Sequence, residues 1–165
     1  MQTSIPVYKF NSESKSTDWH VLDDVVMGGK SNGSFSINED GFGVFKGEIS
    51  LENNGGFSSV RHDCKIKLEG DFKHFQMRIK GDGKPFQFRV KSNKTYEYSY
   101  AATFNTTGEW ETINIAFADM PAVFRGRKLD LPTFPSNNIE EIGFLIGNKK
   151  TQTFKLEIDS IILLK

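Results

Sequence analysis

Cysteine occurs once in the 165 residues, at Cys64, so no disulfide can form within the chain and an apolar core must hold the fold. A lone thiol also fits a reducing compartment. With no second cysteine and no base beside it in sequence, Cys64 is expected to be a small buried residue rather than a nucleophile. Excess charge is missing too. Lys and Arg number 21 and Asp and Glu number 21, which removes the electrostatic footprint of a nucleic-acid or anionic-membrane binder. No run reaches the roughly 18 apolar residues of a spanning helix, so the chain is not expected to cross a membrane. Met1–Phe10 lacks the basic start and sustained apolar stretch of a secretory signal. The expectation is a cytoplasmic protein.

Signs of catalysis are equally scarce. Gly29-Lys30-Ser31 imitates the end of a phosphate loop, but Asp24 stands where the loop needs glycine and no helix pattern follows. His20, His62 and His74 lack ligand-like spacing, and isolated surface histidines are expected. No Gly-x-Ser-x-Gly elbow surrounds Ser58 or Ser59. The pairs Asp23-Asp24 and Glu140-Glu141 are adjacent, and adjacent strand residues point to opposite faces. A non-enzymatic chain without a cofactor or catalytic metal is the expectation.

What the chain has is alternation. Residues 165 in number suit one domain, able to bury about 70% of its unfolded surface, and 1–165 reads as a single unit. Phe75, Met77 and Ile79 alternate with Gln76, Arg78 and Lys80; Phe86, Phe88 and Val90 alternate with Gln87, Arg89 and Lys91. Both segments read as half-buried strands, and Gly81-Asp82-Gly83-Lys84-Pro85 between them reads as a hairpin turn. Asn38-Glu39-Asp40-Gly41 is a second hairpin signal, between Ser34–Ile37 and Phe42–Ile49. Further strands are expected at Ile5–Phe10, Phe57–Arg61, around Trp110–Phe117, at Ile142–Ile146 and from Phe154 to Leu164, which is apolar on both faces beyond Asp159. Ala118–Asn138, with Pro121, Pro132 and Pro135, has no period and reads as a long loop. About ten short strands without a convincing amphipathic helix predict an all-β sandwich or barrel.

The Tyr96, Tyr98 and Tyr100 row has two possible registers against Phe86–Lys91. One gives a tyrosine-lined polar groove beside Arg89 and Lys91. The other sends the tyrosines into the core and leaves Glu97, Ser99 and Thr103 beside Arg89; it is favoured because Glu97 and Thr103 are poor core residues. Trp110 and Asn114 occupy the non-core face of their strand, so a polar concave face of Gln87, Arg89, Lys91, Trp110 and Asn114 is a candidate recognition surface. Two glycine turns precede it in sequence, Asp23–Ser31 and Asn53–Phe57, where glycines permit positive φ and Asp24, Asn53 and Asn54 can cap amides or touch a partner. Arg61 is expected either to salt-bridge Asp24 or another loop acid, or to contact a ligand, and Arg125 heads a small basic cluster, Arg125–Lys128.

The segments Asp24–Ser31, Gly47, Asn54–Arg61, Lys80–Gly83, Gly108–Trp110, Phe124–Arg127, Ile142–Ile146 and Leu156–Asp159 follow one another in an order that resembles the complex I intermediate-associated protein 30 family over nearly the whole chain. The resemblance implies a jelly-roll sandwich like the galactose-binding domains. It also implies a chaperone-like assembly factor that contacts protein partners of a respiratory membrane complex. The jelly roll and the final Leu156–Asp159 segment resemble family 11 carbohydrate-binding modules as well, which leaves oligosaccharide binding as the alternative. Sandwiches of this type can carry a structural calcium, to which Glu157 and Asp159 would contribute.

Overall fold

A computed structural model describes residues 4–23, 31–52, 56–69, 71–124, 127–135, 137–147 and 150–165. Alternation of apolar and polar residues becomes thirteen strands among them: β1 (Ser4–Lys9), β2 (His20–Asp23), β3 (Asn32–Ile37), β4 (Gly43–Ile49), β5 (Ser58–Lys67), β6 (His74–Lys80), β7 (Phe86–Lys91), β8 (Ser99–Phe104), β9 (Trp110–Ala116), β10 (Ala122–Phe124), β11 (Arg127–Lys128), β12 (Asn138–Ile146) and β13 (Gln152–Leu164). They form two antiparallel sheets. One runs β3-β4-β13-β6-β9, with β1 also paired to β13, and the other runs β11-β10-β8-β7-β12-β5-β2. The result is a jelly-roll β-sandwich: the strand pattern and turn signals predict an all-β sandwich or barrel, and the family resemblance implies the jelly roll.

Core composition follows the period-two rule. Phe75, Met77 and Ile79 of β6 and Phe86, Phe88 and Val90 of β7 are all essentially inaccessible, and Phe75 meets Phe88 edge-on at 4.9 Å between ring centroids. The two segments are nevertheless not a hairpin. β6 pairs with β9 and β13, whereas β7 pairs with β8 and β12, so Gly81–Pro85 carries the chain from one sheet to the other. Thr106 fixes this crossover: its hydroxyl donates to the Lys84 carbonyl at 2.7 Å and accepts from the Gly83 amide at 3.0 Å. A Cβ on Gly81 would lie 2.3 Å from the Thr106 Cβ. The consequence is that the cationic edges of β6 and β7 face opposite sides of the molecule.

β13 shows why its sequence loses alternation. It inserts a bulge between Ile158 and Ser160, which moves the buried set from Phe154, Leu156 and Ile158 to Ile161 and Leu163. The hairpin at Asn38–Gly41 forms as expected; Asn38 Oδ1 accepts from the Asp40 and Phe42 amides, and Gly41 takes φ +84°. The segment read as a long loop, Ala118–Asn138, contains β10 and β11, and its Phe134 is buried against Phe117 at 4.8 Å. Its prolines hid two very short strands.

Trp19, 3% exposed, closes one end of the sandwich. Its ring contacts Phe10, Phe35, His62 and Phe144 at centroid distances of 5.6, 5.5, 5.1 and 6.3 Å. His62 Nδ1 lies 2.7 Å from the Asp18 carbonyl and the Tyr8 hydroxyl donates to the Asp18 carboxylate at 2.9 Å. The expectation of an isolated surface histidine therefore fails for His62, which is part of this aromatic end-plug. Replacing Trp19 with alanine is expected to remove about 3–5 kcal/mol of stability, the range for deleting a buried large aromatic. Urea unfolding monitored by far-UV circular dichroism measures it; a loss below about 1 kcal/mol would show that the end-plug is not a packing element.

Candidate functional site

The outer face of the seven-stranded sheet collects most of the described candidate residues. Phe86, Phe88 and Val90 point inward, so Gln87, Arg89 and Lys91 point out. Their cross-strand neighbours are Thr103 and Ala101 on β8, and Leu145, Gly143 and Glu141 on β12. Beyond β12 the same rows continue to Ser59, Arg61 and Asp63 on β5. Arg89, Gly143 and Arg61 thus lie in one row across three strands. A Cβ at Gly143 would sit 2.6 Å from the Val60 carbonyl oxygen and 3.3 Å from the Arg61 Cγ. Glycine is what lets two arginines flank one position.

Charge on this face is incompletely balanced. Arg61 pairs with Glu141 of β12 at 3.6 Å, a strand carboxylate and not the loop acid that sequence suggested. Arg89 donates from Nη1 to Gln87 Oε1 at 3.0 Å, and among the described residues it has no ion pair. Burial, followed by repulsion from Arg61, pulls the Arg89 guanidinium down to about 10, against the opposing pull of Glu141. Burial also lowers Lys91, whose ammonium donates to the Tyr96 carbonyl at 2.8 Å. Asp63 is paired with Lys94 at 3.6 Å, outside the arginine row.

A cleft of about 460 Å³ opens beside Arg89, within the range of small-ligand and short-segment sites. Its walls are Gln87 and Arg89, the β8 residues Ala101, Ala102 and Thr103, and a second side made by Asn114, Ile115, Asp119, Pro121 and Val123. None of these is aromatic. Asp119 makes no ion pair with Arg89.

Two expected members of the face are displaced from it. Trp110 lies on the other sheet, because β9 pairs with β6; its ring packs on Phe42 at 4.6 Å with the Arg78 guanidinium 5.5 Å from its centroid. Asn114 is also on β9. Its side chain accepts from Gln76 at 3.1 Å, and the residue reaches the cleft only as part of its far wall. The single polar face expected from alternation is therefore split between sheets, because the Gly81–Pro85 turn is a crossover. Asp24, Asn53, Asn54 and Arg125 fall outside the described residues. Around the two glycine turns, the described flanks are tied together: Ser31 Oγ accepts from the Ser50 amide at 2.9 Å.

The tyrosine register follows the core alternative for Tyr100, which is 6% exposed and opposite Val90. Tyr98 packs edge-on against it at 5.7 Å, and Tyr96, 43% exposed, stacks on Tyr98 at 5.2 Å. Thr103 stands opposite Gln87. Sequence reasoning missed Glu141 and Asp119 as neighbours of this face. Glu141 was legible only once β12 was known to lie between β5 and β7.

Other chemistry finds little support. Burial pushes the Cys64 thiol up to about 11, with Asp63, Glu141 and Glu140 adding to the shift, the opposite of nucleophile activation. Glu157 accepts from Asn38 at 3.2 Å and Asp159 pairs with Arg78 at 3.8 Å, so the two acids considered for calcium hold protein partners instead. Among the described residues no group of three or more His, Cys, Asp or Glu side chains could hold a metal ion. No described helix is long and apolar enough to cross a membrane.

Residues 8–158 match the family model of Complex I intermediate-associated protein 30 (CIA30). No curated protein sequence matches the chain. Among solved structures, the family 11 carbohydrate-binding module of the cellulosomal cellulase Lic26A-Cel5E of Clostridium thermocellum aligns with a TM-score of 0.72 at 16% identity, over 98% of this chain and 94% of the module. The same kind of module from Clostridium thermocellum in complex with a beta-1,3-1,4-mixed-linked tetrasaccharide aligns at 0.69 and 17% identity, over 94% of each chain. An agarase, AgWH50C, aligns at 0.66 and 10% identity, over 99% of this chain and 25% of the agarase. At these identities the likeness is one of fold.

Tyr100 gives the tyrosine placement a solution test. Burial first, and then the Tyr98 hydroxyl, raises its pKa from 10.0 to about 12. A phenol raised in the folded state favours folding fully below pH 10, and that contribution is lost as pH rises through about 12. Stability is expected to fall across this window, with Cys64 acting in the same direction, and Tyr100→Phe is expected to flatten the fall. Chemical unfolding between pH 9 and 12 checks it; an identical pH slope in the variant would place Tyr100 in solvent.

Proposed function

Because the chain belongs to the complex I intermediate-associated protein 30 family, we propose that it is a non-catalytic binding domain, a chaperone-like assembly factor that contacts protein partners of a membrane complex. The family match over residues 8–158 carries this reading. The contact surface is the outer face of the seven-stranded sheet, centred on Arg89 with Gln87, Arg61 and Lys91 around it. Arginine beside a cleft is a common anchor for protein recognition, since a planar guanidinium both stacks and donates several hydrogen bonds. The glycine-turn residues Asp24, Asn53 and Asn54, and Arg125, which lie outside the described residues, are further candidates for partner contact, and the proposed location is cytoplasmic.

A carbohydrate-binding function is the second reading, favoured by the likeness in fold to family 11 modules and by Gln87, Thr103, Asn114 and Asp119 in the cleft walls, which can bond hydroxyls. It lacks a stacking platform in that cleft, the usual apolar half of sugar recognition. Tyr100 is spent on the core and Trp110 on the other sheet.

Affinity capture from native extract, detergent-solubilised membranes included, discriminates the two. Wild-type chain is expected to retain subunits of a membrane complex, Arg89→Ala to lose them with its melting temperature within a few degrees of wild type, and Trp110→Ala to keep them. Absence of any enriched protein, together with retention on a mixed-linkage glucan column, would overturn the assembly reading in favour of the glycan one.

A further inference from the structure

We infer that the cleft receives an extended, acidic polypeptide segment of the partner, which adds alongside the open end of β8 and places a carboxylate on Arg89. This rests on the protein-binding reading above and names the kind of partner that the same site takes.

The strand edge supplies the first half of the argument. The Ala101 amide donates to the Pro121 carbonyl at 3.1 Å, so the N–H and C=O of Ala101 point toward β10. Backbone polar groups alternate between the two sides of a strand, so those of Thr103 point the same way. β10 does not reach that far. It pairs with β8 only at Ser99 and Tyr100, and beyond Pro121 the chain leaves the sheet for a short 3-10 turn at Phe117–Asp119. Among the described residues no strand lies beside Thr103 on this edge. Its backbone groups line the cleft with a donor and an acceptor that fit a main chain.

Charge supplies the second half. An added strand beside Thr103 would lie about 5 Å from β8 and about 10 Å from β7, on the far side of Thr103 from Gln87 and two residues along the edge from Ala101, whose amide Pro121 already takes. Alanine is too short to block the path, so an outward glutamate on the added segment can reach over it to the guanidinium. Arg89 and Lys91 are the cations on this face with no ion pair among the described residues, and the Lys91 ammonium is engaged by the Tyr96 carbonyl. Arg61 stands two positions across the row, with Glu141 as its partner, and Lys91 is the next cation along β7. Desolvation disfavours the charge on Arg89, and an entering carboxylate relieves this where a neutral ligand would deepen it. Asp119 sits on the opposite wall, where it disfavours a second acid and sets a limit on how the acidic residues are spaced. Absence of any aromatic wall removes the main feature that would favour a sugar over a peptide.

The test is an NMR titration of isotopically labelled wild-type chain at low salt with three probes: a blocked Glu-Thr-Glu-Thr-Glu peptide, its Gln-Thr-Gln-Thr-Gln counterpart and tetragalacturonate. The acidic peptide is expected to shift the Thr103 amide and the Arg89 Nε–H, to slow Thr103 amide exchange at least fivefold, and to bind about tenfold more tightly than the glutamine peptide. Arg89→Gln should abolish that preference. Arg89→Lys, which keeps charge but not the planar fork, should retain part of it. Tetragalacturonate binding as tightly as the acidic peptide, shifts confined to residues away from β7 and β8, or equal binding of the two peptides would each overturn the inference. Failure here with protein capture still dependent on Arg89 would leave the binding-domain reading standing without the acidic segment. Loss of capture as well would remove both.

Discussion

Phe75 of one sheet meets Phe88 of the other at 4.9 Å, and this inter-sheet contact decides which side of β7 is available for anything else. Once Phe86, Phe88 and Val90 are committed to the core, period-two geometry sends Gln87, Arg89 and Lys91 outward together. Neighbouring strands obey the same constraint. Phe144 on β12 and Val60 on β5 are fully buried, which leaves Gly143, Glu141 and Arg61 on the same outer face. The arginine row is therefore a by-product of core packing, and no loop needs to fold correctly to create it. A site built on three central strands of a sheet is held as rigidly as the core beneath it.

The sandwich was largely legible in the sequence because its strands are amphipathic and its turns carry glycine or asparagine. Residues 74–91 show where legibility ended. Both strands alternate cleanly and a Gly-Asp-Gly-Lys-Pro turn joins them, which is the local signature of a hairpin. Local sequence cannot distinguish that from a crossover, since the difference lies in which distant strands accept their edges. Thr106, just beyond β8, then holds the crossover through its hydrogen bonds to Gly83 and Lys84. The same ambiguity misplaced Trp110, whose outward direction was read correctly but whose sheet was not. Arg61 illustrates a different limit: its partner Glu141 lies on β12, about half the chain away in sequence. Tyr100 was placed in the core because its alternatives at that face, Glu97 and Thr103, could not be buried cheaply.

Family membership and fold likeness point in different directions for function, and the chemistry of the cleft is what favours the proposed protein-binding reading. Jelly-roll modules of similar fold include sugar binders, but a sugar cleft ordinarily offers a flat aromatic face, and the cleft beside Arg89 has none. It offers instead a half-buried guanidinium with no ion pair among the described residues. Such a group is stabilised by a partner that supplies one, and the open edge of β8 supplies main-chain hydrogen bonds beside it. The opposite sheet presents Trp110 beneath Arg78, with Phe42 against its side, an arrangement already closed by its own contacts.

The most direct measurement is hydrogen–deuterium exchange of the chain alone and in complex with a captured partner, read peptide by peptide. Protection concentrated in β7, β8 and β12, with β6 and β9 unchanged, is the predicted result. Protection centred on β6 and β9 around Trp110, with β7 and β8 unaffected, would contradict the assignment of the binding face.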